Sequence, residues 1–349
     1  MRSILIPAIS ILLVPASGAP RDSGLFLALL RQNIGGSEVD LARDLQGGVA
    51  ARIIPHTRDG GLAVGGAVRI PVTIKFYIDS FRDISAFKKN PSLLNIGKFG
   101  DPPAEENLAR LSLSQKDRDS IGKCKAGNCG LKLSAEMIRL LRGDGKLNSA
   151  TLDTRFRSAL WSYISAYLRT GTPAMAEYYD KSQRVAASTE FRGILSQFGW
   201  LNDYAPPLLT ALNAPYQPAN NKVEQFLYWS VEDFGLKPVI SVTQVLIYRT
   251  TLESRNWAFI ASKQIYADHY VNASLGLTVL AEEEGNPSHP MLSVAYFNRS
   301  VTDGLRGWFS SLQRSIVEGR LEAATRKNLS ALRMRLANSY RTRQHAEWK

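Results

Sequence analysis

Three β-type runs followed by one long helix close this chain, and that order constrains its fold more than any other feature. Residues 238–249, 257–280 and 291–298 are rich in β-branched and aromatic side chains. Ile240, Val242, Leu246 and Tyr248 fall on one face of the first run, and Leu292, Val294 and Tyr296 alternate in the last. A helical pattern then runs over 303–340, with Asp303 placed to cap it. Leu305, Phe309, Leu312 and Ile316 predict an inward stripe, continued by Leu329, Leu332 and Leu336. Near the other end, runs 49–54 and 62–70 flank Asp59-Gly60-Gly61, which predicts a hairpin. A lone hairpin is too small to be stable. The economical topology is therefore one antiparallel sheet, begun at the N-terminus, completed by the C-terminal strands and covered by the last helix. This is an α+β fold interrupted by an all-helical insertion.

The segments divide as 20–100 for the first part of the α+β unit, 101–235 for the insertion, 236–340 for the part that completes the unit, and 341–349 for a basic tail. Helices are expected over 24–31 and 37–45. After Pro71, Thr73 caps a possible helix, although Ile74, Phe76 and Ile78 also alternate as a strand would. Within the insertion the clearest helix spans 150–169, where Phe156, Leu160, Tyr163, Ile164 and Tyr167 recur at helical spacing. Shorter pieces are predicted at 115–123, 135–142, 173–179, 188–198 and 206–212. The aromatic cluster at 221–234 (Phe226, Tyr228, Trp229, Phe234) is read as a core helix.

The N-terminus reads as an address. Arg2, the apolar run 4–14 and the small residues Ser17-Gly18-Ala19 have the layout of a secretory signal peptide over 1–19. No later run predicts a transmembrane helix. Export places Cys124 and Cys129 in an oxidising compartment, where they are expected to form a disulfide around the turn residues Gly127 and Asn128. Free thiols are the alternative, and no nearby Cys or His completes a metal-ligand set. The net charge is +12, and the stretch 303–349 alone carries ten Lys/Arg against four acids. Such a helix is either a solvated face or a docking surface for anionic phospholipid, with Arg326, Lys327, Arg333 and Arg335 as candidate contacts. No nucleic-acid motif is present.

Little in the chain points to chemistry. Four histidines occur, at 56, 269, 289 and 345. His269, between Asp268 and Tyr270, is the one placed to act as a general base or to anchor a ligand head group, the alternative being a structural histidine at a strand bend. Arg299, Asp303 and Arg306 gather at the predicted strand-to-helix joint. No nucleophile elbow, phosphate loop, zinc-protease motif or dinucleotide fingerprint is present. No catalytic residue, metal site or cofactor is assigned.

The order hairpin, helix, antiparallel strands and long final helix resembles the helix-grip fold of START-like lipid-binding and polyketide-cyclase-related domains, over roughly 45–100 and 236–340. The phrases Phe234-Gly235-Leu236-Lys237-Pro238, Ser262-Lys263-Gln264-Ile265-Tyr266, Asn298-Arg299-Ser300 and Arg314-Ser315-Ile316-Val317-Glu318-Gly319-Arg320 are similar to an uncharacterised group of exported bacterial proteins. The resemblance implies a hydrophobic or amphipathic, lipid-like ligand held between sheet and C-terminal helix. Tyr248, Tyr266, His269, Tyr270 and Arg299 are the expected pocket residues. The alternative is a peripheral envelope protein whose basic C-terminal helix docks on anionic membrane or on a partner protein, without enzymatic activity.

Overall fold

The structure is a computed structural model that describes residues 24–55, 60–142, 148–218, 222–285, 288–303 and 310–347. The predicted signal peptide, His56, Arg306 and the stripe residues Leu305 and Phe309 lie outside them.

Two helices lead, α1 (Gly24–Ile34) and α2 (Glu38–Gly47), the second capped by Ser37, whose hydroxyl accepts the Asp40 amide. The predicted hairpin follows as β1 (Val49–Ile53) and β2 (Gly61–Ile70). Thr73 then caps α3 (Ile74–Arg82) by accepting the Phe76 amide, which decides the helix-or-strand ambiguity for helix; α4 (Ile84–Phe87) and β3 (Leu93–Lys98) come next. The insertion contains α5 (Gln115–Ile121), α6 (Ala135–Arg142), α7 (Ser149–Thr170), the two-residue strands β4 (Glu177–Tyr178) and β5 (Val185–Ala186), α8 (Ala187–Leu195), α9 (Leu201–Tyr204) and α10 (Pro206–Asn213). Four long strands, β6 (Val223–Glu232), β7 (Val239–Leu252), β8 (Arg255–Ala267) and β9 (Val271–Glu282), lead to β10 (Leu292–Thr302) and to α11 (Ser310–Glu347).

The β segments from the two ends form one eight-stranded sheet, ordered β1-β2-β10-β9-β8-β7-β6-β3, with every pairing antiparallel. The N-terminal hairpin joins through β2 to β10, with Ala67 opposite Ala295, and β3 closes the far edge against β6. Both faces are covered. One packs on α1, α2 and the insertion through Leu227, Trp229, Leu246, Phe259 and Leu277. The other packs on α3, α4 and α11 through Tyr77, Phe81, Val245, Ile260, Val294 and Leu329. α11 lies over β1 and β2 at one edge, while α3 packs on β8 and β9.

Two adjacent glycines explain how helices approach β2 from both sides. A Cβ on Gly65 would lie 2.2 Å from Ile34 Cγ2 of α1, and one on Gly66 would lie 2.8 Å from Leu329 Cδ1 of α11. The glycine-rich run therefore serves close packing, as glycine inside a strand often does.

Several expectations are corrected. The aromatic run at 221–234 is the strand β6, not a helix: Phe226 and Tyr228 face the α3 side, and Leu227 and Trp229 face the insertion. A strand buried on both faces shows no polar alternation, so its aromatics mimic a core helix. The insertion consequently ends before Val223 rather than at 235. Strand β3 was not foreseen, and the expected helix at 173–179 is one short turn followed by β4. Ile316 is 50% exposed rather than inward, whereas Leu329 and Leu336 are buried as expected.

Candidate functional site

The most elaborate polar arrangement among the described residues sits where β8 turns into β9, against the insertion. The turn residue Tyr270 has φ +58°, a left-handed conformation that costs a non-glycine residue roughly 1–2 kcal/mol. Tertiary contacts hold it there. Its carbonyl accepts the Asp303 amide at 2.9 Å, and its hydroxyl accepts the Lys237 amide at 3.1 Å. Asp268 is fixed just as firmly: Oδ1 accepts the Ile240 amide at 2.8 Å, and its carbonyl accepts the Lys132 amide at 2.7 Å. Its other oxygen, Oδ2, is buried without a hydrogen-bond partner. Burial pushes the Asp268 carboxyl up to about 7, against the opposing charge of His269.

His269 Nε2 lies 3.0 Å from Asp117 Oδ1 and 3.9 Å from Asp268 Oδ2. Asp117 belongs to α5, and Ser114, the cap of that helix, donates its hydroxyl to Asp117 Oδ2 at 2.6 Å. Burial raises the Asp117 carboxyl, but the hydrogen bonds from His269 and Ser114 outweigh this and hold it below the ordinary carboxylate value. All three side chains are buried.

A second charge cluster adjoins the first. Lys132 Nζ donates to Asp303 Oδ2 at 2.6 Å, lies 3.9 Å from Asp180 Oδ1 and sits 4.6 Å from the centre of the Tyr178 ring. Lys181 reaches Asp303 at 3.2 Å, and Asn272 donates to its other oxygen at 2.8 Å. Asp303 is thus held by the insertion and by β9. Among the described residues Arg299 makes no ion pair with Asp303 and donates instead to Gln197 Oε1 at 2.8 Å; Arg306, the third member of the anticipated grouping, lies outside them. The Cys124–Cys129 disulfide is formed, and its loop docks beside this cluster, with the Cys129 amide donating to the Asp180 carbonyl.

The five expected pocket residues are not gathered under the final helix. Tyr248 stacks on Phe259, and Tyr266 is fully buried beside Tyr163 and Tyr178, on the face covered by the insertion. The partners of His269 and Tyr270 lie at the sheet end, and that of Arg299 lies just after α8. Between α11 and the sheet, Val68, Val294, Leu329 and Leu336 pack together. Sequence reasoning singled out His269 and missed Asp117 and Lys132 as its neighbours. The one available signal for Lys132 was a lysine between Leu131 and Leu133.

α11 supplies a different kind of surface. Its buried stripe passes through Thr325, Leu329 and Leu336. At 3.6 residues per turn, Arg320, Lys327, Met334 and Arg341 line up on the opposite side, with Ile316 and Ala323 beside them. Arg320, Lys327 and Arg341 are exposed, as are Ile316 (50%) and Met334 (60%). No acid falls on this line: Glu318 and Glu322 are half-buried and face Arg314 and Arg326. Two of the expected docking cations have structural roles instead. Arg326 donates to the carbonyls of Val49 and Ala51, and Arg335 to those of Ala86 and Phe87.

Among the described residues no helix is long and apolar enough to cross a membrane. Comparison with family models, curated proteins and solved structures gives no match.

Proposed function

We propose that this is an exported, peripheral binding protein that docks on anionic phospholipid through the outer face of α11. The observation that carries this reading is the acid-free line Arg320–Lys327–Arg341 with Ile316 and Met334 exposed among the cations. Cations attract lipid phosphates while apolar side chains enter the interface beneath them, and long basic side chains suit both layers. The helix needs no rearrangement to bind, because Leu329, Leu336, Arg326 and Arg335 already fasten it from the other side. The disulfide and the lack of a membrane-crossing helix among the described residues are compatible with export.

Each basic side chain at an anionic surface contributes about 1 kcal/mol, so three contribute roughly 3 kcal/mol, or about two orders of magnitude in affinity. The test is sedimentation with phosphatidylglycerol vesicles against phosphatidylcholine vesicles. The expected result is selective binding that falls with salt and is lost in Arg320→Gln/Lys327→Gln/Arg341→Gln. Equal recovery in the supernatant with both vesicle types overturns the reading.

A START-like cavity holding an apolar ligand is the second reading, supported by the long helix packed on an antiparallel sheet. It has less geometric support than docking, since side chains fill the contact between α11 and β2. Organic extraction and mass analysis of the purified protein tests it directly.

A further inference from the structure

The charge centre at the β8–β9 turn leaves one buried carboxyl oxygen without a donor. Lys132 and Lys181 are matched by Asp180 and Asp303. Asp117 and Asp268 then share a single imidazole. The charge of Lys237 acts on Asp117, but its ammonium makes no hydrogen bond to either carboxylate among the described residues. Asp268 is wholly buried, and its Oδ2 points to the same small space as His269 Nε2 with no donor of its own. A buried carboxyl oxygen without a hydrogen-bond partner is costly and uncommon in native proteins. A missing positive centre is the economical explanation.

We propose that Asp117, Asp268 and His269 form a binding site for a divalent transition-metal ion of the zinc class, which fastens the helical insertion to the sheet. One donor atom from each of the three residues lies within 4.8 Å of the other two. Metal–ligand bonds of about 2.0–2.2 Å in a tetrahedral shell separate neighbouring donors by roughly 3.3–3.6 Å. The separations of 3.0 Å and 3.9 Å from His269 Nε2 bracket that value, so small side-chain rotations bring the three donors to ligand spacing, with a fourth position for a non-protein ligand. One imidazole with two carboxylates selects a borderline ion such as Zn²⁺ or Co²⁺ over Ca²⁺ or Mg²⁺, which favour all-oxygen sites. The outer contacts of a metal site are also in place: Ser114 orients Asp117, and the Ile240 amide orients Asp268. The ligands come from elements 152 residues apart, which makes the ion a tertiary clamp. All three ligand side chains are buried, which shields the ion from bulk solvent.

The experiment uses the full chain, untagged, with the disulfide kept oxidised so that thiols do not compete. The protein is stripped with chelator, loaded with Zn²⁺ or Co²⁺ and passed through gel filtration. One equivalent is expected to stay bound, the Co²⁺ form to show a visible d–d band, and Zn²⁺ to raise the melting temperature. Asp268→Asn should lose retention, band and thermal shift together. That variant keeps the acceptor for the Ile240 amide and places an NH₂ donor in the polar space, so folding is retained. Should it still misfold, His269→Gln read by the cobalt spectrum provides the same comparison. Failure of the stripped wild type to retain either ion, or equal retention by the folded variant, overturns the proposal.

Discussion

Lys263 offers the sharpest test of how the sheet and the insertion are joined. Its side chain is completely buried on β8, with Nζ 2.6 Å from Thr172 Oγ1 and 2.9 Å from the Leu212 carbonyl, and with the rings of Phe191 and Tyr167 at 4.4 and 4.9 Å. No carboxylate among the described residues pairs with it, and burial holds its pKa well below 10.5. The unfolded chain therefore takes up this proton more readily than the folded one. Stability from this group is complete above the unfolded pKa and is lost as pH falls toward the folded value, at up to about 1.4 kcal/mol per pH unit. Lys263→Met removes the buried ammonium at nearly constant volume. Relief of desolvation is worth several kcal/mol, and two charge-assisted hydrogen bonds are lost at about 1.5–3 kcal/mol each. Part of that loss is recovered because Thr172 Oγ1 already donates to the Leu212 carbonyl at 3.0 Å. The expected net effect at neutral pH is a stabilisation of about 1–2 kcal/mol that shrinks as pH rises toward 10. Urea unfolding of both proteins across a pH series reads this, since the titrations of other groups cancel in the difference. A variant that is less stable than wild type by a margin independent of pH refutes the reasoning.

Other substitutions probe the packing. Gly65→Ala should destabilise by about 1–3 kcal/mol through its clash with Ile34 Cγ2. Combined with Ile34→Ala, the two losses should sum to less than their separate values in a double-mutant cycle by chemical denaturation; strict additivity would remove the contact. Trp229→Ala deletes a fully buried indole that donates to the Asn107 carbonyl at 2.8 Å, and calorimetry should show a loss of about 3–5 kcal/mol. Reducing the Cys124–Cys129 bond should cost less than about 3 kcal/mol in thermal melts, because the closed loop is short.

The parts of the fold legible in the sequence are those with local chemistry. Asp-Gly-Gly marked the first hairpin, Thr73 marked the start of α3, and Gly171 marked the end of α7. Strand β6 was misread because helices cover both of its faces, which removes the polar alternation that distinguishes strand from helix. The union of the two β portions rests on pairing between β2 and β10, and no local signal encodes a contact of that range. His269 was visible as a histidine beside an acid. Asp117 was not, because a single aspartate in the first turn of a helix is the ordinary companion of its cap.

The charge of the last helix illustrates why counting along a sequence overstates a docking surface. Arg326 spends its guanidinium on the Val49 and Ala51 carbonyls of β1, the outermost strand, which blocks part of an edge that would otherwise invite another chain. Arg335 closes the carbonyls at the end of α4. These arginines bind backbone, so neutralising them should loosen α11 from the sheet and confuse any binding assay with partial unfolding. Arg320, Lys327 and Arg341 make no such contact with the sheet or with α4. If docking is electrostatic, their removal should abolish vesicle binding with the thermal melt unchanged, whereas Arg326→Gln should lower the melting temperature and leave binding by the still-folded fraction intact. Vesicle binding that depended on Arg326 and Arg335 but not on the outer three would mean that the helix has to leave the sheet before it meets the membrane.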